Sequence, residues 1–404
     1  MKFGGSSVAD PEKIRLVARR FVEARRRGLN VVGTVSAMGK TTDSLLALAS
    51  DVSPSPNPRE LDMLLSTGER IACALVAMAI GDLGEEAVSY TGSQAGILTD
   101  STHTRAKIRE IRGDRIRASL AQGKIVLVAG FQGFSRDTME ITTLGRGAGD
   151  LTAVALAATL GAACEIHSDV AGVFTADPRL VPGARKIPSI SYDEMLEMAS
   201  SGAKVLALRS VELARNHAVR IHARSTFTDE EGTWVQETGM EKAIISAVTH
   251  SETDVVFTLT GIPDRPGVAA RIFEGVASAQ VNVDTIIQNV VHGRAEMSFS
   301  VPAEDAGSTR DAITNLQEEL GAFDVEVNRE LGKVSLIGAG MRSHPGVAAT
   351  MFRTLADLGI NLEMISTSPI KISCMIDRDR IPEAVRALHA AFQLERPPEV
   401  EPTM

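Results

Sequence analysis

The chain has 404 residues, of which 44% are hydrophobic, 23% charged and only 4% aromatic, and its formal net charge is −9 with a pI ≈ 5.5. Such acidity argues against nucleic acid or an anionic membrane as the main partner, and so few aromatics leave little surface for stacking bases. The length exceeds what one hydrophobic core usually supports, so two or three domains are expected. No apolar run approaches the roughly 20 residues of a membrane span, and the N-terminus has no charged-then-apolar signal pattern. Cys73, Cys164 and Cys374 lie far apart in apolar surroundings and read as buried thiols of a reducing cytoplasm, without metal-ligand spacing.

From residue 1 to about 245, strand-like and helical runs alternate. A helical pattern over 13–27 leads to a strand-like run at 30–38, and S-P-S-P-N-P at 53–58 is a loop that proline keeps out of any helix. A second helical pattern covers 59–80, and 124–131 is a continuous β-branched run of the kind buried on both faces of a sheet. An Ala/Leu-rich helix is expected at 151–163 and another strand at 164–170. This alternation predicts an α/β domain with a largely parallel sheet sandwiched by helices.

The segment T-T-L-G-R-G-A-G-D at 142–150 lies between the buried strand and the Ala-rich helix. Glycines let a backbone approach an anion closely, and a helix N-terminus favours one. The same composition also suits a plain strand–helix connection, and no G-K-[ST] follows, so the segment is not a Walker A loop.

The last 150 or so residues contain a repeat. P-G-V-A-A occurs at 266–270 and again at 345–349, and N-V-D-T-I at 282–286 answers N-L-E-M-I at 361–365, both 79 residues apart. Each copy reads as a βαββαβ unit of ferredoxin-like type. The sequence places domains at 1–245, 250–330 and 331–396, with shared strands between the last two and a linker near 240–252.

K-F-G-G-S-S-V (2–8), V-S-A-M-G-x-T-T-D (35–43), S-T-G-E-R (66–70), T-L-G-R-G-x-x-D (143–150), G-V-F-T-A-D-P-R (172–179) and G-A-K-V-L (202–206) occur in this order. Together they resemble the aspartate kinases of the amino-acid kinase superfamily, and the tail repeat resembles their tandem ACT modules. The resemblance covers nearly the whole chain. It implies an amino-acid-kinase sandwich followed by two ACT modules, with ATP and L-aspartate as substrates and Mg²⁺ held mainly through the nucleotide's own oxygens. A side-chain carboxylate is already ionised at neutral pH, so such an enzyme needs no catalytic base and works by positioning and charge neutralisation.

By this resemblance Lys2 bridges the transferring phosphoryl group, Asp150 holds Lys2, and Gly4, Gly5 and Ser6 lie beside the phosphates. Arg146 grips the α-carboxylate of aspartate, flanked by Gly147 and Gly149. Glu69 accepts from its α-ammonium, Ser36 and Thr42 supply hydroxyls, and Phe131 packs alongside. Ser168, Asp169, Phe174, Asp177, Arg179 and Lys204 match nucleotide positions. In the ACT modules Asp264, Gly267, Gln288, Val347, Ala349, Asn361 and Leu362 match a threonine site, and a homo-oligomer formed through these modules is expected.

Several residues depart from the family pattern. Ala148 and Gly149 replace Gly and Ser, so a hydroxyl is missing beside the reacting groups, and Gly149→Ser is expected to raise kcat/KM. His167, Ser168 and Ala171 alter the nucleotide strand, and Lys40 stands where an acid is common. Val291 and Pro369 remove a hydroxyl and a carboxylate from the neighbouring lysine site, which makes lysine a doubtful effector. Two alternatives follow: a pathway-dedicated paralogue with altered substrate preference or relaxed feedback, or an amino-acid-sensing subunit with an inactive kinase half. Retention of Lys2, Glu69, Arg146, Asp150 and Lys204 together speaks against the second.

Overall fold

A computed structural model describes residues 1–145, 147–237, 244–291, 293–320 and 323–397. The chain forms two compact units. One comprises Met1–Val173, Lys186–Ala199 and Lys204–Gly239; the other comprises Phe174–Arg185, Ser200–Ala203 and Met240–Met404. The second unit therefore takes two short segments from within the span 1–245.

The first unit holds strands β1 (Lys2–Phe3), β2 (Val32–Val35), β3 (Ala87–Tyr90), β4 (Ile97–Thr99), β5 (Ile108–Ile111) and β6 (Ile125–Ala129). They are followed by β7 (Gln132–Ser135), β8 (Glu140–Thr143), β9 (Cys164–Ser168), β10 (Ser189–Ile190), β11 (Ile221–Ser225) and β12 (Thr233–Val235). Its helices are α1 (Pro11–Arg26), α2 (Thr41–Val52), α3 (Pro58–Leu65), α4 (Thr67–Gly81), α5 (Asp114–Ala121), α6 (Ala148–Leu160), α7 (Tyr192–Ser200) and α8 (Leu208–Asn216). The main sheet has eight strands in the order β10-β12-β11-β9-β1-β2-β6-β3. Among the described residues, only its β11–β12 pairing is antiparallel.

β6 explains its own composition. Ile125, Leu127 and Ala129 pack with Phe3, Phe21, Val76 and Ile80, whereas Val126 and Val128 face Tyr90, Ile116 and Leu156. Both faces are covered, so alternation of polar and apolar residues disappears. A smaller sheet, β5-β4-β7-β8, stands beside the main one and ends at the glycine-rich loop.

The helical pattern at 59–80 is interrupted at one residue, Ser66, between α3 and α4. By length and mean hydropathy Pro58–Gly81 is long and apolar enough to cross a membrane, although Arg59, Glu60, Asp62, Glu69 and Arg70 interrupt its apolar residues. The α4 part has a core role here: Ala72, Cys73, Val76 and Ile80 pack against α1 and the sheet.

In the second unit the strands are β13 (Ala247–Ser251), β14 (Asp254–Pro263), β15 (Ile286–Val291), β16 (Arg294–Pro302), β17 (Asp324–Asn328), β18 (Leu331–Ile337), β19 (Met364–Ser368) and β20 (Lys371–Asp377). The helices are α9 (Val268–Ser278), α10 (Ala306–Leu320), α11 (Val347–Asp357) and α12 (Ile381–Ala391). One module orders its strands β15-β16-β14-β17 and is a complete βαββαβ unit. The other is ordered β13-β18-β20-β19, so its fourth strand comes from upstream of the first module. The expectation of two βαββαβ copies is thus corrected: the second reads βαββα, and β13 pairs antiparallel with β18 along an edge that would otherwise be open. The repeated Pro-Gly turns behave alike, because Gly267 and Gly346 both take positive φ (94° and 100°) as N-caps of α9 and α11.

Phe174–Arg185 belongs to this unit's core. Ala176 and Val181 pack with Val248, Leu336, Met351 and Leu388, and Thr175 Oγ1 lies 2.9 Å from His389 Nε2.

Candidate active site

Four chain segments of the first unit meet at the N-terminal end of α6. β1 carries Lys2 and the turn after it carries Gly4 and Gly5. Ser36 and Ala37 follow directly on β2, α4 brings Glu69, and α6 carries Asp150 in its first turn. Lys2 Nζ is 2.6 Å from Asp150 Oδ1, and the two side chains are only 13% and 11% exposed. A carboxylate in the first turn also suits the helix dipole.

The glycines make room for this pair. A Cβ on Gly4 would lie 3.5 Å from Lys2 Nζ, and one on Gly149 would lie 3.0 Å from Ser36 Oγ and 3.2 Å from Lys2 Cε. The place of the missing loop serine is thus bordered by the Ser36 hydroxyl, which revises the expectation for Gly149→Ser: an added side chain crowds Ser36 and Lys2. Gly5 is confined by backbone, since a Cβ there would stand 2.9 Å from Ala37 O and 3.1 Å from Gly39 O. Ser6 is exposed, while Thr42 is half-buried in the first turn of α2.

Glu69 is 4% exposed, and its Oε1 accepts from the Ala37 N–H at 3.2 Å while Oε2 has no hydrogen-bond partner. Burial pushes its carboxyl up to about 7, against a smaller lowering by the Ala37 hydrogen bond. A buried carboxyl with one unsatisfied oxygen is suited to receive a cation.

Phe131 holds a left-handed backbone (φ 67°) that a bulky residue rarely adopts. Its N–H donates to Thr152 Oγ1 at 3.1 Å, its carbonyl accepts from Leu144 N at 2.9 Å, and the Thr152 hydroxyl donates onward to Ala148 O at 2.9 Å. Thr152 gives no signal in the sequence, because a threonine inside an Ala-rich helix carries no motif. Gly147 caps α6 with φ 76°. Arg146 lies outside the described residues.

The resemblance places Ser168, Asp169, Lys204, Phe174, Asp177 and Arg179 at the nucleotide. Ser168, Asp169 and Lys204 belong to the first unit; the Ser168 hydroxyl accepts from Val170 N at 3.3 Å, and Asp169 and Lys204 are exposed. Phe174, Asp177 and Arg179 belong to the second. There Asp177 accepts from the Arg179 backbone N–H at 2.9 Å and from its guanidinium at 2.6 Å, which holds the Asp177 carboxyl below its usual range. His167, one of the departures from the family pattern, stacks on Phe3 at 4.4 Å and pairs with Glu165 at 3.2 Å.

In the ACT modules Asp264 and Gly267 sit in the exposed turn before α9, and Gln288 is exposed on edge strand β15. Val347 and Ala349 occupy the first turn of α11, and Asn361 and Leu362 the loop before β19. Asn361 is bonded to Glu363 at 2.9 Å, and Leu362 packs on the module's core. Among the described residues, no group of three or more His, Cys, Asp or Glu is placed to hold a metal ion.

A buried lysine–carboxylate pair, two glycines beside it and a glycine-capped helix bring a fixed cation and accessible backbone together, an arrangement suited to an anion. Residues 1–225 match the amino acid kinase family, and residues 256–321 and 334–392 match ACT domains. Aspartokinase of Mycolicibacterium smegmatis is 52% identical over 97% of this chain and 95% of its own length; that of Corynebacterium glutamicum is 48% identical over the same shares. Aspartate kinase from Synechocystis is 41% identical with a TM-score of 0.55, covering all of this chain and 70% of its own. The fold also superposes on E. coli aspartokinase III with aspartate and ADP, at TM-score 0.84 and 23% identity over 96% and 98% of the two chains. The chain belongs to the aspartokinase family.

Proposed function

We propose that this chain transfers the γ-phosphoryl group of ATP to the side-chain carboxylate of L-aspartate, giving 4-phospho-L-aspartate and ADP. A carboxylate oxygen forms the new P–O bond as the bond to the ADP oxygen breaks. The nucleophile is anionic already, so the task is to bring two anions together and to neutralise charge as it shifts towards ADP. Lys2 Nζ, fixed by Asp150 and flanked by Gly4 and Gly149, is the observation that carries this reading. Its ammonium lies against the transferring phosphoryl oxygens.

Glu69 and Arg146 take the two charged ends of aspartate, a carboxylate for the ammonium and a planar fork of donors for the α-carboxylate. Ser36 and Thr42 supply hydroxyls, and Phe131 closes the side. Ser168, Asp169 and Lys204, with Phe174, Asp177 and Arg179, serve the nucleotide. Mg²⁺ would be held mainly through the nucleotide's own phosphate oxygens and water, where it would neutralise phosphate charge.

The aspartokinases at 52% and 48% identity support the substrate class. E. coli aspartokinase III, alike in fold, has been crystallised with aspartate and ADP and also with lysine and aspartate. In this chain the ACT positions favour threonine as effector, bound where the modules of a homo-oligomer meet. A coupled assay of ADP release with L-aspartate against L-glutamate, N-acetyl-L-glutamate and D-aspartate tests the substrate; turnover of another acid in preference to L-aspartate overturns it.

A further inference from the structure

The glycine-rich loop that grips aspartate is entered through Thr143 and Leu144, and both are held from two sides. From α3, fully buried Asp62 accepts the Thr143 hydroxyl at 2.6 Å and the Thr104 N–H at 3.1 Å, and its Oδ2 is 2.7 Å from His103 Nδ1. From α8, Arg209 donates Nη1 to Leu144 O at 2.6 Å and Nη2 to Ala106 O at 3.3 Å. The segments are also joined directly, with Ala106 N donating to Thr143 O at 2.9 Å and Leu144 N to Phe131 O at 2.9 Å.

The polar groups of these two residues are therefore committed up to Gly145, where φ turns to 90°. A carboxylate receiving only donors is well satisfied without water, and it fixes those donors more firmly than a neutral acceptor would. A guanidinium spanning two carbonyls locks their relative position by its planar fork. Neither Asp62 nor Arg209 lies in one of the family motifs, and the core below the loop already has Leu65, Ala106, Phe131, Leu144 and Leu151 to hold it together. Both anchors converge on the backbone that leads to the aspartate half of the site.

We infer that Asp62 and Arg209 are paired positioning residues: through Thr143 and Leu144 they set the geometry of the aspartate-binding loop and of Phe131, and so the affinity for aspartate. The inference rests on the reading of that loop as the aspartate clamp. Thr143→Val removes the one hydroxyl while keeping the β-branch. It is expected to raise the aspartate KM about tenfold, the usual effect of losing a charge-assisted hydrogen bond, with the ATP KM unchanged. Arg209→Met behaves likewise, and Thr143→Ser, which keeps the hydroxyl, stays within about twofold of wild type. In an Arg146→Ala background Thr143→Val adds little further. Unchanged aspartate KM in both folded variants, or equal shifts in the aspartate and ATP KM values, overturns the inference. Arg146→Ala with a wild-type aspartate KM instead overturns the clamp reading, while the other variants still report on the anchors.

Discussion

Lys2 opens the first strand and Asp150 lies in the first turn of the sixth helix, yet their charged atoms stand 2.6 Å apart beside Gly149. If the pair works as one device, Lys2→Ala and Asp150→Ala each lower kcat by about 10²-fold or more, and the double variant falls little further. Single-turnover kinetics in full-length protein checks this. Near-normal turnover in Lys2→Ala removes the lysine from the chemistry.

Gly149 gives a second expectation. A serine Cβ would stand 3.0 Å from Ser36 Oγ and 3.2 Å from Lys2 Cε, closer than side chains normally pack. Gly149→Ser is expected to lower kcat by displacing Lys2, and Gly149→Ser combined with Ser36→Ala to recover part of it. A rise in kcat/KM for the single variant would show instead that the hydroxyl is accommodated and useful.

Glu69 makes aspartate binding depend on pH. Its carboxyl titrates near 7 because of burial, so the free enzyme loses its negative charge as pH falls through that value. The aspartate kcat/KM is expected to drop on acidification from about pH 8 to about pH 6, and Glu69→Gln to be weak and flat across that range. Stability runs the other way. The folded chain holds the proton more tightly than the unfolded one, so this group's contribution is full below pH 4.5 and is lost as pH rises through about 7. Glu69→Gln is therefore expected to raise Tm at about pH 8 while impairing binding; a Tm gain confined to about pH 4 would contradict this.

In the second unit Lys333 is 2% exposed, with Nζ 2.5 Å from Asp284 and 3.6 Å from Asp254. Removing a buried ammonium strands its partners, so Lys333→Ala is expected to destabilise the unit towards the lower end of ~3–5 kcal/mol, since Asp284 is one-third exposed. Adding Asp284→Ala should return part of the loss. Thermal melts of the single and double variants measure the coupling.

Regulation supplies the last expectation. Threonine is expected to bind, whereas lysine alone inhibits weakly or not at all, because Val291 lacks the hydroxyl and Pro369 offers neither carboxylate nor backbone N–H. Calorimetry and initial rates with each amino acid, singly and together, check this, and strong inhibition by lysine alone contradicts it.

Local chemistry made much of the fold legible. The buried run of β6, the alanines of α6 and the 79-residue repeat each announce an element through composition or spacing. Lys2, Gly4, Ser36, Glu69 and Asp150 stand in motifs, and the structure brings them around the start of α6. What could not be read were partnerships between distant residues without a pattern. Asp62 lies in a helix like any other acid until Thr143 is folded against it. Phe174–Arg185 holds most of the G-V-F-T-A-D-P-R motif, yet its apolar residues find their core among strands and helices of the second unit. β13 reads as a linker because five residues are too few to declare a strand whose partner lies a full module away.

That partnership imposes an order on the birth of the protein. Strand 247–251 leaves the ribosome before β18 exists, and at about 5–20 residues per second its mate follows several seconds later. Thr175 waits longer still, since His389 lies 214 residues ahead. In the meantime the inserted module, whose strands and helices follow one another without interruption, can close first. β13 must stay unpaired until β18 arrives, and Thr175 lacks its partner until α12 does. A ribosome stalled before β18 therefore displays an inner module able to close beside a β13 that has no strand to pair with, an unpaired edge of the kind that invites association with another chain.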